Sequence, residues 1–488
     1  MTKELSIVLG YVISFVYMAL VIVVGELVQK KFNTDKELTR KCEHIATSAS
    51  WAICYFFVGA TYHLVIVNFF AMCALAAVTF GGLMKSVERD DADKSYGLFY
   101  FGLSTFVSIL VAMLVNVEFV PYTAVAYYCL ALGDGLAPIT ARLAGKRNLT
   151  LFAPKSLVGF LTVFAVCSLV ALVVSEIFSL GLSALFILSL GSLAAHAELY
   201  GRGGFDNVTI NFSVFGYLVL NYYGLVSTAL MVALLIIPVF TVLAAASKSL
   251  TTGGAVVSFV YIFASALFGN LTVALMIFIL FFVESIISKV TTRAFNKKTA
   301  LPKEKHSRGA HQILANTAVA IVCITLYFFL ENPIFLFASV VVIAEEFSDS
   351  IASDVGRLSR SAPRDILKFK TVEAGISGGV SLLGIGGALI AAFAATTIPF
   401  AFGEIKLDVF LILAATAFVG TIFDSILGSA VQGLFRCSVC DSLTEHAEHC
   451  GTAATRIKGA KIITNSMVNF LSGAITAAIA IGILSAVL

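Results

Sequence analysis

The sequence predicts an all-α polytopic integral membrane protein with about sixteen transmembrane helices arranged in two tandem bundles. Composition is the first reason: of 488 residues, 59% are hydrophobic and 12% are charged, and the mean hydropathy is +0.97. Soluble globular domains carry about 25% charged residues, so a soluble fold is excluded. The second reason is that the apolar residues fall into runs of roughly 20, the length that a helix needs to cross a bilayer.

The apolar segments follow one another along the whole chain. They lie near residues 5–27, 45–60, 64–84, 97–116, 119–141, 156–177, 179–199, 208–225, 226–246, 252–269, 271–291, 309–330, 333–356, 375–398, 406–435 and 464–488. The first segment is too long for the apolar core of a signal peptide and lacks a small-residue cleavage site, so we expect it to be a span. Distinct polar motifs in the two halves predict two membrane domains, 1–225 and 226–488.

Lysine and arginine are concentrated in the loops that follow odd-numbered segments. These loops contain Lys30, Lys146, Lys297, Lys368 and Lys458, whereas the other connections are nearly free of basic residues. The positive-inside rule then places the basic loops in the cytoplasm and both termini outside. We expect the membrane to be the inner or plasma membrane of a bacterium, or an organelle membrane. A net charge of +3, without basic runs interleaved with aromatic residues, argues against a nucleic-acid partner.

A segment of small residues surrounds Asp134 at the cytoplasmic end of the fifth apolar segment. Gly133 and Gly135 flank this aspartate and would let a ligand approach the backbone closely. A carboxylate is a hard oxygen ligand that suits Mg²⁺. Arg142 and Lys155 follow in the next loop, where they could bind the oxygens of a nucleoside triphosphate.

A second basic group opens the second apolar segment. Arg40 and His44 are four residues apart and so share one face of a helix, with Lys41 between them. Taken alone, these residues are typical of a basic anchor at the membrane interface. Together with the segment around Asp134, they indicate a site for a nucleotide.

These features form a pattern that continues to the end of the seventh segment. Its members are Arg40, Lys41, His44, Gly133, Asp134, Arg142, Gly145, Lys155, Ser156, Gly159, Glu198, Asp206 and Asn207. Through them, residues 1–225 resemble the CTP-dependent polyprenol kinases, the family of phytol kinase and dolichol kinase. The resemblance implies that CTP or another nucleoside triphosphate phosphorylates a prenol with Mg²⁺ or Mn²⁺. It implies catalytic roles for Asp134, Lys155 and Glu198, with the other polar members binding nucleotide. Leu157 and Val158 stand where the family usually has an acidic residue.

Three aspartates in the second half lie near cytoplasmic ends of apolar segments. Asp349 and Asp354 are five residues apart, and Asp424 lies in the fifteenth segment. Glu345 precedes Asp349 by four residues and shares its helical face. Helix packing does not require carboxylates, so we interpret Asp349 and Asp424 as Mg²⁺ ligands.

Glycines surround the start of the fourteenth segment. Residues 375–381 are rich in glycine, and Lys368 and Lys370 stand just before them. Glycine-rich backbone at a helix N-terminus offers free N–H groups to phosphate. Gly384, Gly386 and Gly387, further on, are better explained by close helix packing.

An ordered set of positions runs through the second half. It comprises Arg308, Asn316, Asp349, Asp354, Lys368, Lys370, Ser377, Gly378, Gly379, Asp424, Gln432, Cys437, Cys440, Cys450, Asn465 and Asn469. Through them, residues 250–488 resemble the membrane family that contains plant phytyl-phosphate kinase. The resemblance implies conversion of a prenyl monophosphate to a diphosphate. It makes Asp349, Asp354 and Asp424 catalytic and the other polar members phosphate-binding, although Asp354 replaces a more usual glutamate.

Cysteine and histidine cluster in one polar loop of the second half, at Cys437, Cys440, His446, His449 and Cys450. Two interpretations stay open. The spacing of Cys437 and Cys440 suits tetrahedral Zn²⁺, with Cys450 as a further ligand. The adjacency of His449 and Cys450 would strain a shared metal, and a reduced cytoplasmic loop without metal is the other interpretation.

The whole sequence therefore predicts a bifunctional prenol salvage kinase that makes a prenyl monophosphate and then a diphosphate. Its partners would be membrane prenols, prenyl phosphates and a nucleotide, whereas the sequence indicates no protein partner. A membrane cytidylyltransferase that makes a CDP-lipid is one alternative, because it also joins CTP to a lipid phosphate. A lipid-phosphate transporter is another, although transporter sites usually lie near the membrane midplane.

Overall fold

The computed structural model describes residues 2–32, 34–81, 96–145, 148–152, 154–296 and 307–488. It is almost entirely helical, which confirms the predicted fold class of an all-α polytopic membrane protein. Lys146 and Lys297, which marked two of the basic loops, lie outside the described residues. Contacts divide the chain into two compact units, Met1–Ala246 and Ser247–Leu488.

Helices of the first unit are numbered in chain order. They are α1 (Lys3–Phe32), α2 (Lys36–Thr47), α3 (Ala49–Val58), α4 (Tyr62–Gly81), α5 (Gly97–Val115), α6 (Val120–Tyr128), α7 (Gly135–Ala144), α8 (Leu157–Phe178), α9 (Ala184–Tyr200), α10 (Asp206–Tyr222) and α11 (Thr228–Ser247).

The second unit contains the other described helices and seven short strands. The helices are α12 (Thr252–Ala264), α13 (Leu271–Asn296), α14 (Ala310–Leu330), α15 (Pro333–Gly356), α16 (Leu382–Ala401), α17 (Leu407–Ala430) and α18 (Asn465–Val487). The strands are β1 (Arg364–Asp365), β2 (Gly379–Val380), β3 (Leu434–Arg436), β4 (Leu443–Thr444), β5 (Glu448–His449), β6 (Thr452–Ala453) and β7 (Thr455–Lys458).

Twelve helical stretches in the described part of the chain are long and apolar enough to cross a membrane. They are α1, α4, α5, the continuous stretch Val117–Ala144, α8, α11, α12 with its extension to Gly269, α13, α14, α16, α17 and α18. The other four of the sixteen predicted segments correspond to shorter or more polar helices. The segment 45–60 is broken at Ser48 into α2 and α3, and α9 and α10 have 17 residues each. The last of the four, α15, contains several carboxylates within its 24 residues.

Helix α11 belongs to the first unit, which therefore extends past residue 225 to Ala246. Polar contacts join this helix to α9. The Ser192 hydroxyl donates to the carbonyl oxygen of Leu234 at 2.5 Å, and His196 Nε2 lies 3.1 Å from Thr241 Oγ1. His196, for which the sequence indicated no role, is thus buried between two helices of the bundle.

The core of the second unit surrounds α15, which packs against α13, α14, α16, α17 and α18. Small buried side chains line these contacts and let the helices approach closely. They include Ala344, Ala392, Ala417 and Ala480. The glycine at 387 faces α15, where its ideal Cβ position would lie 3.4 Å from Val355 Cβ. This contact agrees with the packing role expected from the sequence, whereas a Cβ atom at Gly386 would have no atom within 4 Å, so the packing role expected of Gly386 was wrong.

Local breaks in helical geometry occur where polar groups enter the bundles. A π-helical segment, Cys129–Asp134, joins α6 to α7 and ends at the predicted catalytic aspartate. Single π-turns widen a helix and are frequent at functional sites. In the second unit, residues 375–381 form a loop with strand β2, and α16 begins only at Leu382, capped by Ser381. The prediction that the span begins at Gly375 was therefore wrong, and none of residues 375–381 is helical. Gly375 and Gly378 have positive φ angles that a helix does not allow.

Candidate functional site

Asp134 is the centre of the polar cluster in the first unit. Its Oδ2 atom lies 2.6 Å from Lys41 Nζ and 3.3 Å from His44 Nδ1, so the structure brings these three predicted residues together. Only 1% of the residue is exposed, and Oδ1 has no hydrogen-bond partner among the described residues. A buried carboxylate oxygen without a donor is costly, so this atom is suited to a cation or to a hydrogen bond from a substrate.

His44 closes the cluster on the side of α5. Its ring makes an edge contact with Phe101, with 4.6 Å between the ring centroids. Burial lowers the pKa of His44 below its usual value, although the contact with Asp134 opposes the shift. His44 is therefore neutral near pH 7 and joins Asp134 by a hydrogen bond, so Lys41 supplies the positive charge.

Lys155 forms a second polar group with two carboxylates. Its Nζ atom lies 2.5 Å from Glu198 Oε1 and 3.3 Å from Asp206 Oδ2. Burial alone would lower the pKa of Lys155, but Glu198 and Asp206 outweigh it and raise the pKa above its usual value. Asp134 contributes to the same shift, which places the two polar groups in one electrostatic site. Lys155 therefore stays charged while it bridges Glu198, which was predicted to be catalytic, and Asp206, which was predicted to bind nucleotide.

Three other predicted nucleotide ligands have different surroundings. Arg142 pairs with Asp35 at 3.0 Å, and about half of each side chain is exposed, so the structure does not bring Arg142 to Asp134. Surface ion pairs of this kind are weak, and the sequence does not show which carboxylate an exposed arginine will contact. The Asn207 amide donates to the carbonyl oxygens of Gly97 and Gly204 at 3.1 and 2.9 Å, and so holds the start of α10 in place. Arg40 is half-buried on α2.

An apolar groove of about 390 Å³ lies between α1 and α2. Its lining comprises Leu20, Val21, Val24, Gly25, Val28, Thr34, Leu38, Thr39, Cys42, Glu43 and Ala46. Lys41 and His44 project from the opposite face of α2 to Cys42 and Ala46, because successive helical residues are about 100° apart. One face of α2 thus borders the groove and the other borders Asp134.

In the second unit, two carboxylates share a single hydroxyl group. Ser472 Oγ lies 3.0 Å from Glu345 Oε1 and 3.2 Å from Asp424 Oδ2, and 3.0 Å from the carbonyl oxygen of Asn469. A serine hydroxyl has one proton and cannot donate to three acceptors at once. Glu345 Oε2 has no partner in the part of the chain that the structure describes. A bound cation or an extra proton would satisfy these oxygens.

The same cluster contains three further carboxylates. Electrostatic interactions connect Glu346 with Glu345, Asp349, Asp424 and Glu284, and Asp349 with Asp424 and Glu284. We call these five residues, which come from α13, α15 and α17, the acidic cluster. Glu346 and Glu284 were absent from the predicted site. Glu346 could have been found from the sequence, because it forms a glutamate pair with Glu345 inside an apolar run.

Arg308 meets the acidic cluster through Glu284. Its Nη1 atom donates to Glu284 Oε2 at 2.8 Å, and Nη2 contacts the other carboxylate oxygen. This bidentate pair occupies the guanidinium group that the sequence pattern assigned to phosphate. Glu284 is thus the member of the acidic cluster that forms an ion pair with this arginine.

The third predicted catalytic aspartate of this unit lies apart from that cluster. Asp354 forms an ion pair with Arg357, one helical turn further along, and the Arg357 Nε–H donates to the carbonyl oxygen of Ser353 at 3.0 Å. Among the described residues, no contact joins Asp354 to Asp349 or Asp424. Residues five apart on a helix point in different directions, which explains the separation.

The glycine-rich loop is held by Asp365 and Ser429. Asp365 Oδ1 accepts hydrogen bonds from the backbone N–H groups of Leu367 and Lys368, at 3.0 and 2.9 Å, and from the Ser429 hydroxyl at 2.7 Å. Burial would raise the pKa of Asp365, but these hydrogen bonds, that from Ser429 foremost, outweigh it and lower the pKa below its usual value. Gly378 has φ +83° and lies against Ser429, so its backbone approaches α17 closely.

The side chains around this loop face in several directions. Lys368 and Lys370 are exposed, and Gly379 pairs with Asp365 in the short ladder between β1 and β2. The Ser377 backbone N–H and hydroxyl both donate to Glu445 Oε1, at 2.9 and 2.5 Å. The sequence gave no indication of this contact, because Glu445 belongs to a polar loop 68 residues further along the chain.

Predicted amide ligands are divided between the interior and the surface. The Asn469 Nδ2 group donates to Asn316 Oδ1 at 3.2 Å, which brings these two predicted residues together. The side-chain amide of Gln432 is buried without a hydrogen bond to any described residue. Asn465 is exposed in the first turn of α18, although it lies four residues before Asn469.

The Cys/His loop lies between β3 and β6. Ligand atoms of Cys437, Cys440, His449 and Cys450 all lie within 4.8 Å of one another. His446 is exposed and outside this group. Hydrogen bonds from the backbone N–H groups of Cys440 and Val439 lower the pKa of the Cys437 thiol. The loop therefore has the donor types and the proximity of a metal site.

Comparisons with known proteins found two relatives and one family. The chain is 32% identical to Protein PGR of Arabidopsis thaliana over 138 residues, which cover 25% of this chain and 46% of that protein. It therefore spans less than half the length of this relative. It is 28% identical over 206 residues to the uncharacterized membrane protein MJ0933 of Methanocaldococcus jannaschii, covering 42% of this chain and 83% of that protein.

No solved structure matches the chain. Residues 235–477 contain the acidic cluster, the glycine-rich loop and the Cys/His loop, and they match the family described as "Integral membrane protein DUF92". Together with the apolar helices, this match makes the chain an integral membrane protein that is similar to this family over residues 235–477.

Proposed function

We propose that the protein is a bifunctional membrane phosphotransferase with one site in each unit. The first unit transfers a phosphoryl group from CTP or another nucleoside triphosphate to a prenol such as phytol. The second unit phosphorylates the resulting prenyl monophosphate to a diphosphate. Both sites open to the cytoplasm, where the nucleotide is available, and both termini lie outside.

The surroundings of Asp134 are the observation that carries this proposal. Oδ2 is occupied by Lys41 and His44, whereas the buried Oδ1 atom has no partner among the described residues. That oxygen is available to hold Mg²⁺ or Mn²⁺, or to accept the proton of an attacking hydroxyl group. The charged Lys155 nearby is suited to bind phosphate oxygens.

The groove beside α2 supports a lipid acceptor. It is lined mainly by aliphatic side chains of α1 and α2, and α2 also carries Lys41 and His44. The isoprenoid chain of a membrane prenol could move from the apolar core of the bilayer into this aliphatic groove at little cost, because lipid tails and leucine side chains are equally apolar. Its hydroxyl end would then lie close to the helix that supports the polar site.

In the second unit, the shared contact of Glu345 and Asp424 with Ser472 supports a cation site. A bound Mg²⁺ would neutralise charge on the phosphates of the donor and the acceptor. The exposed Lys368 and Lys370 would draw anionic substrates to the loop that contains Gly378. Positioning and electrostatic stabilisation provide most of the catalysis in phosphoryl transfer, and these residues are suited to both roles.

A direct test uses the purified full-length protein in lipid nanodiscs. It is supplied with CTP or ATP labelled in the γ-phosphate, with a panel of prenols and prenyl monophosphates, and with Mg²⁺. We expect labelled monophosphate and then diphosphate, together with release of the nucleoside diphosphate. Formation of a CDP-lipid with release of pyrophosphate would instead identify a cytidylyltransferase. Failure of every donor and acceptor pair would contradict the proposal.

One observation favours a second candidate, a cation-coupled lipid-phosphate transporter. Glu345 lies at the midpoint of α15 rather than at its end, and Glu346 is its neighbour. Carboxylates at this depth are typical of ion pathways. Flux of a labelled prenyl phosphate into sealed proteoliposomes, without nucleotide, separates transport from phosphoryl transfer.

A further inference from the structure

We propose that Cys437, Cys440, His449 and Cys450 bind one structural Zn²⁺ ion. This site is independent of the proposed phosphotransferase activity, since it rests on the geometry of the Cys/His loop alone. The zinc would hold together two hairpins that have little apolar core of their own.

Distances among the donor atoms match the edges of a small tetrahedron. Cys440 Sγ lies 3.8 Å from Cys450 Sγ and 3.4 Å from His449 Nδ1, and Cys450 Sγ lies 3.3 Å from that same nitrogen. Zinc–sulfur bonds of about 2.3 Å and zinc–nitrogen bonds of about 2.0 Å give tetrahedral edges of about 3.5–3.8 Å. A disulfide would require a sulfur separation of about 2.05 Å, and all three cysteines are free.

Two turns supply two ligands each. Cys437 and Cys440 lie in the loop between the paired strands β3 and β4, and the Val439 N–H donates to Cys437 Sγ at 3.4 Å. His449 and Cys450 lie at the turn between β5 and β6, whose register pairs His449 with Thr452. Such backbone donors stabilise a thiolate, the form of cysteine that binds zinc.

The backbone at Cys450 explains how two adjacent residues can serve one metal. Cys450 has φ +52° and Gly451 has φ +73°, so the chain reverses directly after His449. A left-handed conformation is costly for a residue other than glycine and persists where the surroundings enforce it. The strain expected from this adjacency is thus taken up by the backbone, and both side chains reach the same point.

The loop also reaches the proposed phosphate-binding segment. Glu445 lies between the two ligand pairs and accepts both hydrogen bonds of Ser377. Zinc would therefore fix Glu445, and Glu445 would in turn fix residues 375–381. In this arrangement Glu445 is a positioning residue.

The first experiment measures metal content in the full-length protein purified without chelators. We expect about one zinc per chain by elemental mass spectrometry. Replacement by Co²⁺ should give the absorption of a tetrahedral site with thiolate charge-transfer bands. The variants Cys437→Ser and Cys450→Ser should lose the metal, whereas Cys73→Ser, at an exposed cysteine in α4, should retain it.

A conservative variant distinguishes the loss of a zinc ligand from misfolding of the loop. His449→Cys keeps four tetrahedral donors and should retain zinc with stronger thiolate bands, whereas His449→Ala should bind zinc more weakly. A wild-type protein without zinc and without a cobalt spectrum of this kind would overturn the proposal. A disulfide between Cys440 and Cys450 in freshly purified protein would do the same.

The link to Ser377 has its own readout. Trypsin cleaves after lysine, and Lys368 and Lys370 precede the glycine-rich loop. Removal of zinc should speed cleavage there, and Glu445→Ala should do so while zinc remains bound. Cleavage that is unchanged in both cases would show that the metal does not order this loop.

Discussion

The ammonium group of Lys41 lies 2.6 Å from Asp134, and both side chains are almost fully buried. A buried ion pair contributes little net stability, because removing two charges from water offsets their attraction. Its value here is that it orients Asp134 and keeps Oδ1 clear of protein donors. This arrangement is the basis of the first prediction.

Asp134→Asn should reduce the formation of prenyl monophosphate at least about 100-fold, as loss of one preorganised electrostatic group does. Conversion of added monophosphate to diphosphate should persist, because that step uses the second unit. Both activities are measured by separation of labelled lipids. Glu176→Gln, at an exposed carboxylate in α8, is the control and should retain both steps. Normal monophosphate synthesis by Asp134→Asn would disprove the first site.

Asp424→Asn and Asp349→Asn should have the opposite effect and cause monophosphate to accumulate from prenol. Each change removes a negative charge from the acidic cluster and so weakens its hold on a divalent cation. The Mg²⁺ concentration needed for half-maximal diphosphate formation should rise. Asp408→Asn changes an exposed aspartate at the other end of α17 and provides the matched control. Equal loss of both activities would argue for one shared site.

Gly378→Ala should destabilise the protein by more than about 1 kcal/mol, the usual cost of a left-handed conformation for a residue with a Cβ atom. The added Cβ would also lie 2.5 Å from the Ser429 backbone nitrogen. Gly386→Ala lies in open space on α16 and should leave the melting temperature unchanged or raise it. Thermal unfolding in detergent compares the two. Equal melting temperatures would contradict the close approach of the loop to α17.

Orientation is tested with reporter fusions. Alkaline phosphatase is active only outside the cytoplasm, and green fluorescent protein fluoresces only inside it. A fusion after Lys31 should fluoresce, and a phosphatase fusion at Leu488 should be active, because the basic loops remain inside. The reverse result would place both proposed sites on the face that lacks nucleotide.

Much of the helical framework was predictable because a membrane span needs a long apolar run, and such runs are visible in any sequence. The direct contact of Asp134 with Lys41 and His44 was not predicted, although each residue was singled out because it lies in a distinctive motif. Ser472 was not singled out, because a serine among apolar residues is typical of helix packing. Its role arises from helices that meet only in the folded bundle.

Long-range partners account for the remaining differences. Arg142 was assigned to phosphate, yet it pairs with Asp35, and Arg308 pairs with Glu284. A basic residue near a motif carries no information on which carboxylate will lie beside it. Periodicity limits such predictions only within one helix, where it places Asp349 and Asp354 on different faces.

The contact between Ser377 and Glu445 has a consequence for how the protein is made. Two membrane helices, α16 and α17, separate its partners along the nascent chain. At 5–20 residues per second, a ribosome takes roughly 3–14 s to synthesise the intervening segment. A chain interrupted after α17 would contain every carboxylate of the acidic cluster but would lack Glu445, which holds the glycine-rich loop through Ser377. Completion of the proposed second site would therefore wait for the last part of translation, and truncated products in the membrane would lack the ordered loop.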